Sequence, residues 1–183
     1  MPLRNTADSY GSLAKFLHWA IVLLIVPQYF LVEAAEELPN GVEKLQLFTW
    51  HKSLGMMVLL LALVRIGWKL ANRGLPGPVG APWQRKAAAA SHGLLYLLIL
   101  AQPLSGWLMS STANYPVTLF GWFQFPALIG ENHELHESLE EVHELLFTLM
   151  LVVTAVHIAA ALYHHFILRD SVLRRMLPYS PKD

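Results

Sequence analysis

No cysteine occurs in the 183 residues of this chain. That excludes disulfides, iron–sulfur clusters, thiolate zinc sites and covalent attachment of haem through a C-x-x-C-H sequence. Charge is scarce as well. Asp, Glu, Lys and Arg make up 14% of the chain, against about a quarter in an average soluble domain. The two signs cancel to zero formal net charge, so nothing favours a nucleic-acid partner. No tandem repeat is present. No small-residue cleavage site follows the N-terminal apolar run, which therefore reads as a retained first span rather than a signal peptide. What remains is a chain that is 55% hydrophobic, with nine histidines as its only plentiful soft-metal ligands. The length sets one domain as the starting expectation, and the charge deficit points to a membrane protein.

The stretch from His133 to Pro178 organises the rest. Between Leu145 and Leu168 it carries no charged residue, enough to cross the hydrocarbon core as a helix. His143 and His157 lie fourteen residues apart on it, about 21 Å of rise and roughly 40° short of four turns. They share a face at two depths, with Met150 between them and His136 and His164 extending the series. Three further spans are expected at residues 16–32, 50–70 and 87–109, giving four in all with 145–168. The fold class is then an all-α integral membrane four-helix bundle. Pro27 and Pro103 fall inside spans, which membrane helices tolerate. The connection at 71–86 is rich in Gly and Pro. The FGWFQF segment from Phe120 is expected at the membrane interface, where aromatic side chains anchor.

Lysine and arginine set the expected orientation. The N-terminus, the second connection and the tail hold Arg4, Lys15, Lys69, Arg73, Arg85, Lys86, Arg169, Arg174, Arg175 and Lys182, and Arg65 lies at the same end of span two. The first and third connections hold only Lys44 and Lys52. By the positive-inside rule both termini are cytoplasmic.

Ionisable residues inside a membrane are costly and functional by default. Antiparallel threading brings His51, at the outer end of span two, level with His143. His18 and His157 lie about 22 and 18 Å from the outer ends of their helices. The four therefore form two depth-matched pairs, His18 with His157 and His51 with His143. Measured from the inner ends, His164 competes with His157 for His18, but lysine snorkelling blurs that boundary and the outer measurement is preferred. Two imidazoles on one metal suit haem iron, whereas zinc wants four ligands or an open position. Bis-histidine iron has no vacant position, so its chemistry is electron transfer. Arg65 is either a snorkelling cation beside Lys69 or a partner for an inner haem propionate, and Lys52 is placed to serve the outer haem likewise. His92 supports a ligand, touches a propionate, lines a quinone pocket or is structural. His164, on the haem-facing series, is the candidate quinone contact, and His165 faces headgroups. His133 and His136 read as a solvated helix start. A surface zinc site with Glu137 and Glu140 is the alternative there, although H-E-L-H is not the H-E-x-x-H signature.

L-H-W in span one, H-K-S-L-G opening span two, H-G-L-L-Y-L-L in span three, V-H-E-L-L and V-H-I-A-A-A-L-Y-H-H-F in span four, and the ending R-D-S-V-L-R-R-M-L-P together resemble the bacterial cytochrome b561 family. Each motif alone is weak, but the ordered set covers nearly the whole chain. The resemblance implies two non-covalent b haems in the inner membrane, on His18 and His157 and on His51 and His143. It also implies exchange of electrons with quinone, from an outer-side donor that is superoxide in some members. Related two-haem subunits anchor separate dehydrogenases or hydrogenases, which is the alternative reading.

Overall fold

The computed structural model describes residues 2–178, apart from 73, 75 and 78. Arg73 and Lys182, two of the cations counted for orientation, lie outside the described residues. The chain forms four long helices: α1 (Ser12–Glu36), α2 (Val42–Ala71), α3 (Pro82–Thr112) and α4 (His133–Tyr163). All are long and apolar enough to cross a membrane. This is an all-α membrane bundle. A short antiparallel hairpin, β1 (Val117–Leu119) and β2 (Phe123–Phe125), sits between α3 and α4.

Each helix runs past its apolar run. α4 begins at His133, the solvated helix start expected there, a dozen residues ahead of the apolar run at Leu145. Asn132 caps it: its side-chain oxygen accepts the Leu135 N–H at 3.0 Å, satisfying a first-turn donor that has no partner within the helix. α3 starts with Pro82 in the first turn, where a missing N–H costs nothing, and the Gln84 side chain accepts from Ala81 N at 2.7 Å. Hydropathy sees only the apolar middle of such helices, whereas backbone hydrogen bonding continues into the polar zone. α4 ends in a π-turn over His164–Leu168, closed by Arg169 in the left-handed region at φ 52°, a common way to stop a helix.

The helices pack as two antiparallel pairs, α1 with α2 and α3 with α4, joined along α2 and α3. Ile21, Val58 and Ala62 form the centre of the α1–α2 seam, with Ile99 and Leu100 of α3 packed against it. Among the described residues no Cα of α1 or α2 comes within 8 Å of α4. Side chains bridge that separation instead: Tyr29 of α1 stacks on Phe147 of α4 with centroids 6.0 Å apart.

The hairpin closes one end. Val117 packs with Met56 and Leu59 of α2. The buried Ser53 hydroxyl donates to Thr118 O at 2.8 Å and accepts Phe120 N–H at 3.1 Å. The turn needs positive φ at both Phe120 (52°) and Gly121 (78°); glycine adopts this freely, while Phe120 is held there by the Ser53 bond. The expected interfacial FGWFQF segment is this turn and β2, and its Trp122 is 91% exposed. At the other end the N-terminus, the second connection and the tail interlock. Asn5 Nδ2 donates to Gly74 O, Gly77 N to Ala7 O, and Trp19 Nε1 to Met176 O, at 2.6, 2.8 and 2.9 Å.

Candidate functional site

His51 of α2 and His143 of α4 meet across the separation between their helices. Their ring centroids are 6.4 Å apart and the rings nearly perpendicular, at 81°. Two metal–imidazole bonds of about 2 Å, plus about 1.1 Å from each nitrogen to its ring centre, put two such rings roughly 6.3 Å apart on one metal. The observed separation fits a shared iron.

Hydrogen bonding fixes the tautomer of His143 that ligation needs. Ser105 Oγ spends its one hydrogen on Gln102 O at 2.8 Å, so it accepts from His143 Nδ1–H, also at 2.8 Å. His143 Nε2 then bears the lone pair, which the Gln102 side-chain amide meets at 3.1 Å. An imidazole that donates from one nitrogen to a fixed acceptor presents the other to a metal. His51 differs: its Nδ1 lies 3.4 Å from the backbone oxygen of Gln28 but 2.7 Å from the Gln28 side-chain amide nitrogen, which donates to it, so ligation through His51 Nε2 requires the ring to exchange tautomers. Space is made by glycine. A Cβ on Gly106 would stand 3.0 Å from His143 Cε1, and one on Gly55 3.6 Å from the Gln28 side chain. The narrow cleft between the histidines is lined by Gly55, Met56, Pro103, Gly106, Trp107 and Val117. These features fit a flat macrocycle held between two imidazoles.

The second group lies towards the interlocked, cation-rich end. His92 of α3 and His157 of α4 are in ring contact at 5.3 Å, and both lie within electrostatic reach of His18 of α1. Arg65 of α2 donates from Nη1 to His18 Nδ1 at 2.8 Å and from Nε to the Tyr96 hydroxyl at 3.2 Å. With Nδ1 accepting, neutral His18 carries its hydrogen on Nε2. Ligation through Nε2 therefore requires Arg65 to release Nδ1 and the ring to exchange tautomers. This end matches a bis-imidazole site in composition, and Arg65 is the group that must turn.

The other candidates have distinct partners. Lys52 donates to Pro116 O at 2.9 Å and lies 5.6 Å from the centre of the Tyr115 ring, so it is committed to the hairpin connection. His164 Nδ1 is 2.5 Å from Asp170 Oδ2, with both side chains largely shielded. The Asp170 carboxyl sits below the usual carboxylate range: burial pushes it up, but the bonds from His164 and Val172 N outweigh that. His133 pairs with Glu137 at 3.6 Å, while His136 turns to Met109 O at 3.1 Å. Among the described residues no three His, Asp or Glu side chains converge as a metal cluster.

Sequence reasoning did not single out Ser105, Gln102, Gly106, Gln28 or Gly55. The one available signal was Gly55, one turn after His51 on the same helical face. The α3 residues give none, because the rotation of α3 against α4 is set by packing.

Comparison with known proteins gives the family. The family described as prokaryotic cytochrome b561 matches residues 9–179. The chain is 30% identical over 188 residues to cytochrome b561 homolog 2 of Escherichia coli (strain K12), covering all of this chain and 98% of that protein. It is 29% identical over 170 residues to a probable superoxide oxidase CybB of Yersinia pestis, covering 92% and 96%. It is 30% identical over 177 residues to a cytochrome b562 of Cereibacter sphaeroides, covering 92% and 94%. A multi-pass, histidine-rich bundle matched along almost its whole length leaves one assignment: the chain belongs to the prokaryotic cytochrome b561 family of membrane haem proteins, and its chemistry is electron transfer.

Proposed function

We propose that the chain holds two b-type haems in the bacterial inner membrane, with both termini cytoplasmic, and passes electrons between an outer-side donor and membrane quinone. The outer haem lies between His51 and His143, and the inner one between His18 and His157. The observation that carries this reading is the 6.4 Å separation of the His51 and His143 rings, reached from helices whose backbones stay apart.

A haem with two imidazole ligands supplies a one-electron store with no open position on iron. The rest is the work of the chain. Ser105 holds the hydrogen of His143 on Nδ1, so Nε2 bears the lone pair, and the Gln102 amide that meets it must turn away for Nε2 to reach a metal. Gly106 keeps a Cβ away from the His143 ring, and Met56, Trp107 and Val117 give the cleft apolar walls. On the inner side Arg65 supplies positive charge beside His18, which suits a propionate once Arg65 turns. Arg65, His92 and His164 are the donors available to a quinone carbonyl in otherwise apolar surroundings. His164 is oriented for this by Asp170.

Single substitutions test the assignment. His143→Ala is expected to lose the outer haem and keep the inner, and His157→Ala the reverse, read from haem content and reduced spectra of purified protein. If His157→Ala keeps both haems while His164→Ala loses one, the inner ligand assignment is wrong.

A further inference from the structure

A second cleft opens at the hairpin end, beside the His51–His143 pair. It measures about 320 Å³ and is lined by Trp107, Ser111, Asn114, Tyr115, Gln124 and Phe125 together with backbone of the hairpin connection. Small-molecule sites span roughly 300–1,000 Å³, so this one suits a compound of a single ring. Its walls are aromatic. Trp107 and Phe125 pack edge to face at 5.4 Å, and Trp107 is pinned by its Nε1–H on Pro126 O at 3.0 Å. Asn114 and Gln124 add polarity, and neither side-chain amide bonds another described residue. Trp107 and Val117 line this cleft and the histidine cleft alike. One aromatic ring thus separates its contents from the outer pair.

Charge decides the class of occupant. No carboxylate lines the cleft, and the Lys52 ammonium stands against its Pro116 and Tyr115 edge, which opposes a cation in the aromatic walls. The surrounding helix ends carry exposed Glu131, Glu134, Glu137, Glu140 and Glu141, which repel an anion. An uncharged ring with hydroxyl groups meets neither penalty. Its faces suit Trp107, Tyr115 and Phe125, and its hydroxyls suit amides that both donate and accept. We propose that this cleft binds an uncharged hydroxylated aromatic compound, seated one ring away from the His51–His143 pair. The proposal rests on the reading that an outer-side donor serves this chain, and it names that donor's class and seat.

The test is equilibrium dialysis of hydroquinone against the full-length, haem-loaded protein in lipid nanodiscs, kept reduced so that no turnover occurs. Saturable one-to-one binding is expected, insensitive to ionic strength. The double variant Asn114→Gly, Gln124→Thr removes both amides; glycine keeps the positive φ of 55° at position 114 and threonine suits a strand. It is expected to weaken binding at least tenfold, from about three- to tenfold per lost hydrogen bond, with unchanged haem spectra. Equal binding by parent and variant, or non-saturable uptake alone, overturns the site. Benzoate or benzyltrimethylammonium binding as tightly as hydroquinone overturns the uncharged class. Haem content is measured on the same samples. A parent without two haems refutes the proposed function, while the dialysis result still reports on the cleft.

Discussion

Gly106→Ala adds one methyl group at the point where α3 backs the His143 ring. The new Cβ would stand 3.0 Å from Cε1 and 3.4 Å from Nδ1, inside the ordinary carbon contact distance of about 3.5–4.0 Å. The ring must give by roughly half an ångström. It is held by Ser105 Oγ at 2.8 Å and the Gln102 amide at 3.1 Å, both on the same helix as Gly106, so it cannot retreat without stretching those bonds. Overpacking of this kind costs about 1–3 kcal/mol, and disturbed outer-shell support of a metal ligand typically costs 10–100-fold in affinity. Alanine is also a better helix former than glycine by about 1 kcal/mol, which offsets part of that cost, so thermal stability should hold or fall only slightly. The expected result is selective: outer haem leaves about 10–100-fold faster for an excess of apo-globin, inner haem leaves at the parent rate, and the protein still melts in one transition near the parent temperature. Parent-like retention of both haems, or equal loosening of both, would refute the placement of His143 against Gly106 as the outer ligand cradle.

The remaining expectations are shorter. A reporter active only outside the cytoplasm should work when fused near Asn40 or Tyr115 and fail near Gly77 or after Asp183, and activity at Gly77 would reverse the orientation. Asp170 has a depressed carboxyl pKa because His164 and Val172 N bond its charged form. Its contribution is therefore complete above the ordinary carboxylate value and is lost as pH falls through the lower folded value. Hydrogen exchange in the tail should rise below about pH 4 in the parent. In Asp170→Asn it should be raised already at neutral pH; a tail equally protected in both would remove Asp170 from its anchoring.

The four helices were legible because an apolar run of about 20 residues is the length that crosses a bilayer and is rare in a soluble core. The meeting of His51 with His143 was legible because side chains that come together inside a membrane must match in depth, and depth follows from counting residues at a fixed rise. Rotation is a different matter. That Ser105 and Gly106 face His143, or that Arg65 reaches His18, depends on how α3 and α2 turn about their axes. Helices of nearly uniform apolarity carry little amphipathic signal to set that angle. The hairpin at Val117–Phe125 escaped for a separate reason. Three-residue strands fall below any periodicity, and what holds them is one buried hydroxyl, Ser53, sixty-five residues away from Thr118 in sequence. The helix start at His133 was legible as a polar turn ahead of the apolar span at Leu145, but its cap, Asn132, was not, because hydropathy does not register capping.

The donor can be approached through charge. The end that carries His51 and His143 presents ten exposed glutamates, Glu33, Glu36, Glu37, Glu43, Glu131, Glu134, Glu137, Glu140, Glu141 and Glu144, against Lys44 and Lys52. Neither lysine is free to focus a field outward: Lys52 is bound to Pro116 O at 2.9 Å and Lys44 lies 3.5 Å from Leu38 O. A unit charge about 10 Å away in water contributes roughly 0.4 kcal/mol, so a deficit of eight charges opposes an incoming anion by about 3 kcal/mol at low salt. That slows encounter by roughly a hundredfold or more relative to an uncharged donor. Screening over a Debye length of about 8 Å at physiological ionic strength removes much of it. Reduction of the haems by superoxide should therefore be slow at low salt and accelerate as salt is added, whereas reduction by a neutral quinol should not respond. The measurement is stopped-flow haem reduction across a salt series in nanodiscs without charged lipid. A rate near the diffusion limit that falls with added salt would mean that a positive funnel exists despite the glutamates. Superoxide, named in the relative from Yersinia pestis, would then become the leading donor.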